Sequence, residues 1–333
     1  ASSIAVPAYI SEIAPPAVRG RLVALYQLQI VFGILVAFAS NYALSALLDL
    51  DWRWMLGVES LPALAYVVMV STVPESPRWL LLKQGDEKAS RRILEQVDAD
   101  STERTLSEIR ATDLKTPEDR LFRRTYWRPV MLAFLIAAFN QLSGINFIIY
   151  FAPRIFSLAG LDSSSALLST AGIGIVNLTC TLLGMWLIDR AGRKSLMLIG
   201  SIGYIVSLSA VTWAFGTGAS GMVVVLFVFL FIASHAVGQG AVIWVFIAEI
   251  FPNKVRTKGQ SLGCGTHWVF AALITLLMPL FLSRFEPQTI FSFFTVMMIL
   301  QLLFVIAVMP ETRGQSLESL AARFLAEGDR GTT

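Results

Sequence analysis

The sequence is short of the residues that enzymes and secreted domains depend on. Only 15% of its 333 residues are charged, where a soluble domain of this size carries about 25%. A chain this poor in charge is ill suited to a surface that faces water on all sides. Histidine and cysteine occur twice each. No nucleophile–base pair and no metal-ligand spacing emerges from so few, so an enzyme, a resident metal and a cofactor are not expected. Cys180 and Cys264 both fall inside apolar runs, which leaves no disulfide framework. Acidic and basic residues nearly balance, 23 against 26, so no strongly basic surface for nucleic acid is implied.

What the sequence has instead is apolar residues in long blocks. The stretches 22–48, 163–188, 195–248, 259–283 and 287–310 contain no Lys, Arg, Asp or Glu. About 20 apolar residues cross the hydrocarbon core as a helix. The stretch 195–248 is long enough for two spans, with the glycine-rich 216–221 as the turn between them. The expectation is eight complete spans, at about 22–44, 54–73, 129–152, 165–188, 195–215, 222–247, 260–282 and 288–309, with 1–13 as the tail of one more. Only helices and closed barrels satisfy their backbone in lipid. These runs far exceed the roughly 10-residue alternating strands of a barrel. The expected fold class is therefore an all-α polytopic membrane protein.

Charge is sorted by loop. Arg19, Arg21, the segment 78–128, the segment 190–194, the segment 254–258 and the C-terminal tail hold 23 of the 26 Lys and Arg. The opposite loops hold only Arg53, Arg154 and Arg284. By the positive-inside rule the first set is cytoplasmic, C-terminus included, in a multi-pass protein of the cell membrane. The basic excess orients the chain in its lipid bilayer and is no footprint of nucleic acid.

The sequence also repeats itself. Ile10, Glu12, Ile13, Pro15, Val18 and Arg19 recur at an offset of 237 as Ile247, Glu249, Ile250, Pro252, Val255 and Arg256. Pro74 and Glu75 recur at an offset of 236 as Pro310 and Glu311. Duplicated halves mark secondary transporters. The offset sets Ala1 opposite Gly238, and the second half starts near Trp127, so about 110 residues, or about three and a half spans, are expected ahead of Ala1. The intact protein would then hold two halves of six spans. On this expectation 1–75 is the end of span four with spans five and six, 76–128 a linker, 129–310 the second half and 311–333 a cytoplasmic tail. The linker carries 22 charged residues and helical stretches such as 87–97. A solvated linker and short cytoplasmic helices packed under the bundles both fit it.

Several motifs run nearly the length of the chain. They are Pro7-Ala8-Tyr9-Ile10-Ser11-Glu12 with Arg19-Gly20, Gln27 in the next span, and Pro74-Glu75-Ser76-Pro77-Arg78-Trp79-Leu80. Asn140-Gln141-Leu142-Ser143-Gly144-Ile145-Asn146 and Asp189-Arg190-Ala191-Gly192-Arg193-Lys194 follow. Trp244 with Glu249-Ile250-Phe251-Pro252, and Pro310-Glu311-Thr312-Arg313-Gly314, complete the set. In this combination the chain resembles the sugar porters of the major facilitator superfamily. The resemblance implies a carrier of a hexose or pentose that works by alternating access.

A sugar presents a ring of hydroxyls and an apolar face, which suits neutral amides that both donate and accept, and aromatic walls. Amides in lipid are costly unless partnered, yet Gln27, Asn140, Gln141, Asn146 and Asn177 all lie in spans. The resemblance makes Gln27, Gln141, Asn146 and Asn177 the hydroxyl-binding amides and Tyr150, Trp244 and Trp268 the walls. The plainer reading of each is helix–helix glue for the amides and core packing for Trp244. Three positions depart from the family pattern. Asn140 stands where a glutamine is common, His235 where an aromatic wall is usual, and His267 where an amide is frequent. Both histidines fit either as donors to a sugar or as packed neutral rings.

Charges gather at the cytoplasmic ends of both halves: Glu12, Arg19, Glu75 and Arg78 in one, Asp189, Arg190, Arg193, Glu249, Arg256, Glu311 and Arg313 in the other. Orientation by positive charge explains the cations but not acids at matching helix ends. A salt-bridge network that closes the cytoplasmic side and opens as the halves rock explains both. A carrier of a polyol, inositol or another organic solute, and a sugar sensor that does not transport, are the competing functions. A co-transported proton stays open as a second partner, because the carboxylate expected to carry it belongs to the first span.

Overall fold

The computed structural model describes residues 6, 9, 10, 13, 19–99, 102–115, 119–252 and 254–313. The expected span tail at 1–13 therefore lies largely outside the described residues. The chain packs as two compact units, Ala1–Ile30 with Leu50–Asp119, and Val31–Asp49 with Arg120–Thr333. The first long helix, α1 (Arg19–Tyr42), runs through the boundary at residue 30. It ends in a wide turn at Ala43–Leu47, closed by the Leu48 N–H on Ala43 O at 3.1 Å.

In the first unit, α2 (Trp52–Val58) and α3 (Ser60–Ser71) form one span with Glu59 at their junction. Asp51 caps α2 by accepting from the Arg53 N–H at 3.0 Å. A single turn, α4 (Pro77–Trp79), starts on a proline, which loses nothing where its N–H would go unbonded anyway. The chain then passes through Gly85, left-handed at φ 70°, and Asp86 caps α5 (Glu87–Asp98) on the Ala89 N–H at 3.0 Å. α6 (Thr102–Lys115) follows.

The charged segment is thus helical, and each helix carries one buried stripe. Ser90 and Leu94 are buried on α5, and Thr102, Leu106 and Ile109 on α6, at the spacing of a single helix face. The fully buried Ser90 hydroxyl donates to Pro77 O at 2.8 Å. On the outer faces Arg91 pairs with Glu103 and Arg110 with Glu87.

The second unit opens with one 3₁₀ turn (Arg124–Tyr126) and α7 (Trp127–Leu142), followed by α8 (Ile145–Leu158), α9 (Ser163–Ala191) and α10 (Arg193–Thr217). α11 (Gly221–His235) continues through a wide turn at Ala236–Gly240 into α12 (Ala241–Ile250). α13 (Arg256–Arg284) and α14 (Pro287–Ala307) complete it. Counting α7–α8 and α11–α12 as one crossing each, eight helical stretches among the described residues are long and apolar enough to cross a membrane.

One expected span is not continuous. The run 129–152 breaks at Ser143-Gly144, where Gly144 has φ 83°. A Cβ there would stand 2.8 Å from Phe294 Cδ2, so glycine answers to both the backbone angle and the close approach. The break separates two apolar cores. Phe147, Phe156, Tyr204, Phe231, Phe291 and Phe294 belong to the first, on α8, α10, α11 and α14. Leu132, Ile136, Ile243, Phe246 and Phe251 belong to the second, on α7, α12 and the turn after it. Large apolar side chains such as Trp213, Leu276 and Leu303 point outward, a surface that lipid, not water, accommodates.

Candidate functional site

The break in the seventh expected span gathers polar groups. Opening the helix at Ser143 frees carbonyls, and the Ser143 hydroxyl donates to Asn140 O at 2.6 Å. The Ile145 N–H in turn donates to Ser143 Oγ at 3.3 Å. Discontinuous spans of this kind form the substrate sites of many carriers, because unwound backbone is tolerated only where protein or a cavity satisfies it.

Immediately before the break, Asn140 and Gln141 are 3% and 1% exposed. Gln141 Nε2 donates to Asn140 Oδ1 at 3.0 Å. The same nitrogen lies 3.2 Å from Nδ1 and 3.3 Å from Nε2 of His267 on α13. Gln141 Oε1 is buried and has no hydrogen-bond partner among the described residues. The His267 ring neighbours two indoles, with centroids 5.1 Å from Trp244 on α12 and 5.3 Å from Trp268.

Of the residues expected to bind substrate, the structure therefore brings together Asn140, Gln141, Trp244, His267 and Trp268. Asn146 follows the break on α8 and is half-buried, and Tyr150 one turn later is exposed. Asn177 is buried on α9. Gln27 is half-buried on α1, in the first unit. His235 is engaged elsewhere: its Nδ1 lies 2.5 Å from the Tyr204 hydroxyl, against the backbone of Gly240.

A second polar cluster escaped the sequence reading. Gln239 Nε2 donates to Gln301 Oε1, and Gln301 Nε2 to Ser201 Oγ at 2.8 Å, with all three side chains fully buried. Alongside it α10 and the wide turn touch, a Cβ on Gly200 standing 2.8 Å from Gly238 Cα. The signal was a lone amide in each of two apolar runs, and neither indicates its partner.

The charged ends of the second unit form a connected set. Arg193, with a side chain 11% exposed, donates from Nη2 to Glu249 Oε1 at 2.8 Å and from Nη1 to Ile188 O at 3.1 Å. Its Nη1 stands 3.5 Å from Asp189 Oδ1. The Thr312 hydroxyl donates to the other oxygen of Glu249 at 2.6 Å.

Glu311 does something the sequence did not foretell: it caps a helix. Its carboxylate accepts from the backbone N–H groups of Arg193, Lys194, Thr312 and Arg313 at 2.9 to 3.0 Å. Arg193 and Lys194 open α10, where orphan donors and the helix dipole favour an anion. Gly192, at φ 88°, makes room, because a Cβ would sit 2.6 Å from Glu311 Oε2. Burial pushes the Glu311 carboxyl up, but the four backbone donors outweigh it and hold the group below its ordinary value.

Arg190 lies over the Trp186 ring at 3.8 Å, and Arg256 Nε donates to Phe251 O at 3.2 Å. The Arg313 side chain is exposed. Glu75 is exposed and Arg78 half-buried, and neither forms an ion pair among the described residues. Glu12 and the Arg19 side chain lie outside them.

The xylose transporter XylE of Escherichia coli, in a partially occluded inward-open conformation, matches with a TM-score of 0.81 at 30% identity, covering 95% of this chain and 69% of that one. This likeness and the broken spans define the class: a helical, multi-pass membrane transporter of the major facilitator fold. The sugar (and other) transporter family model matches residues 1–324, and the chain belongs to that family. A probable metabolite transport protein of Bacillus subtilis, CsbC, is 38% identical over 331 residues, spanning 96% of this chain and 71% of the relative. The D-xylose-proton symporter of Escherichia coli is 32% identical over 340 residues, spanning 96% of this chain and 68% of the relative.

Proposed function

We propose that the protein carries a monosaccharide, a hexose or pentose, across the cell membrane by alternating access. The observation that carries the reading is Gln141, a buried amide whose Oε1 lacks a partner, set beside a second amide, an imidazole and two indoles. An unpaired acceptor in that position is costly unless a ligand hydroxyl completes it. Asn146, Asn177 and Gln27 add amides for further hydroxyls, with Tyr150, Trp244 and Trp268 covering the apolar face of the ring. The charged set around Arg193, Glu249 and Glu311 closes the cytoplasmic side, and the C-terminus is cytoplasmic. The relative that moves D-xylose with a proton supports a pH gradient as one arm of the test.

Uptake of labelled sugars into proteoliposomes decides it. Gln141→Ala and Asn146→Ala should weaken sugar affinity roughly 5- to 150-fold, as expected for about 1–3 kcal/mol per buried group left unpaired, with membrane insertion unchanged. Unaltered affinity in both variants removes these residues from the site. Competition by polyols or inositol alone would identify the other solute class, and saturable binding without uptake a sensor.

A further inference from the structure

We propose that the cavity between the approach to α7 and the first turn of α13 binds the phosphate headgroup of an anionic phospholipid. The site is distinct from the amides at the helix break: about 20 Å of helix separates Trp127 from Asn140 and Gln141.

Arg120, Leu121, Phe122, Arg123 and Lys258 line an open cavity of about 730 Å³. Leu121 is buried and belongs to the second apolar core, which fixes this lining in place. The other four side chains are exposed. Three of them are cations, drawn from two segments more than 130 positions apart in the chain. The stretches 118–128 and 254–258 together hold seven Lys and Arg against two acids, Glu118 and Asp119, an excess of five positive charges. The planar guanidinium fork matches two oxygens of a phosphate, and an ammonium adds a compact point charge.

The depth of the cavity selects a lipid over a soluble anion. Trp127 opens α7 and is 64% exposed, and Lys258 stands in the first turn of α13. Both helices belong to stretches long and apolar enough to cross a membrane, so the cations sit where the spans end. Exposed tryptophan at a span end is characteristic of the headgroup level. Phe122, between the two arginines in the sequence, is 76% exposed. A free phosphate gains nothing from an apolar ring beside its cations, whereas a phospholipid brings an acyl chain to cover it. The orientation proposed from the basic loops makes this leaflet the cytoplasmic one, where anionic lipids attract basic segments.

Native mass spectrometry of the purified full chain, titrated with phosphatidylglycerol or phosphatidylcholine, tests the site. The first phosphatidylglycerol should bind roughly tenfold or more tightly than phosphatidylcholine. Arg120→Gln, Arg123→Gln and Lys258→Gln should each weaken that first binding roughly fivefold, and leave phosphatidylcholine binding as it was. Phe122→Ser should also weaken it. The triple variant Lys83→Gln/Lys88→Gln/Arg92→Gln removes three exposed cations from the first unit and should leave it unchanged. Glycerol 3-phosphate, which has no acyl chain, should not displace the lipid at equal concentration.

Phosphatidylglycerol binding that is unaltered in all three single-cation variants overturns the proposal. Equal weakening by the first-unit triple variant also overturns it, leaving only a general attraction to basic loops. Displacement by glycerol 3-phosphate at equal concentration overturns the lipid assignment in favour of a soluble phosphate. None of these outcomes touches the sugar reading, which stands on other residues.

Discussion

Gly144 is the residue on which the site's geometry turns. Its φ of 83° and the 2.8 Å approach of Phe294 to a hypothetical Cβ are separate obstacles to any side chain. Gly144→Ala should cost about 1–3 kcal/mol from backbone conformation alone, with a further steric loss against the Phe294 ring. We expect a lower melting temperature in detergent and weaker sugar binding, since the amides flank the break. Trimming the ring in Gly144→Ala/Phe294→Leu should recover only the steric share. Complete recovery would show that the backbone angle is not strained. The residue types of the site were legible in the sequence: amides and indoles in apolar runs announce hydrogen bonding and an apolar wall. Their pairing was not. Gln141 and His267 are 126 positions apart, and no spacing rule joins them. Which side chains meet across that distance is a property of the fold, so the sequence could offer His267 only as donor or packed ring.

Element by element, the spans were read from run length and one turn from the glycines of 216–221, where α10 closes at Thr217. The break between α7 and α8 was missed because 129–152 carries a single uncharged run of span length, and a glycine by itself is common in membrane helices. The cap on α10 was invisible for another reason: Glu311 bonds to backbone amides, which every residue has. Its consequence is measurable. A carboxyl held below its ordinary value contributes stability that is present above that value and lost as pH falls through the depressed one. Acidification just below the ordinary carboxylate range should therefore destabilise the protein less steeply in Glu311→Gln, which should already be less stable at neutral pH. Parallel melting curves against pH for the two proteins would remove Glu311 from that role. In the first unit, Asp86→Ala deletes the cap of α5 and should cost about 0.5–2 kcal/mol. Hydrogen exchange confined to 87–98 would report the fraying, and unchanged protection there would count against the cap.

For the whole molecule, the orientation proposed from basic loops makes successive loops between spans differ in access. In a background lacking Cys180 and Cys264, a cysteine placed at Ser164 should react with an impermeant thiol reagent added outside intact cells. One at Arg92 should not. Reversed labelling would invert the topology, and equal labelling would deny a fixed one. The number and placement of spans could be taken from the sequence, since each is written in local composition. The partition of the second unit into two apolar cores could not, because α7 and α8 look alike in hydropathy and differ only in which neighbours they meet. That partition places Asn140 and Gln141 at the end of a helix anchored in one core, and Asn146 at the start of a helix anchored in the other. The spacing between those amides is then set by packing at a distance from them. If those amides bind the proposed sugar, substitutions deep in either core would change which sugar fits, and selectivity has a route to drift without a change at a single contact residue.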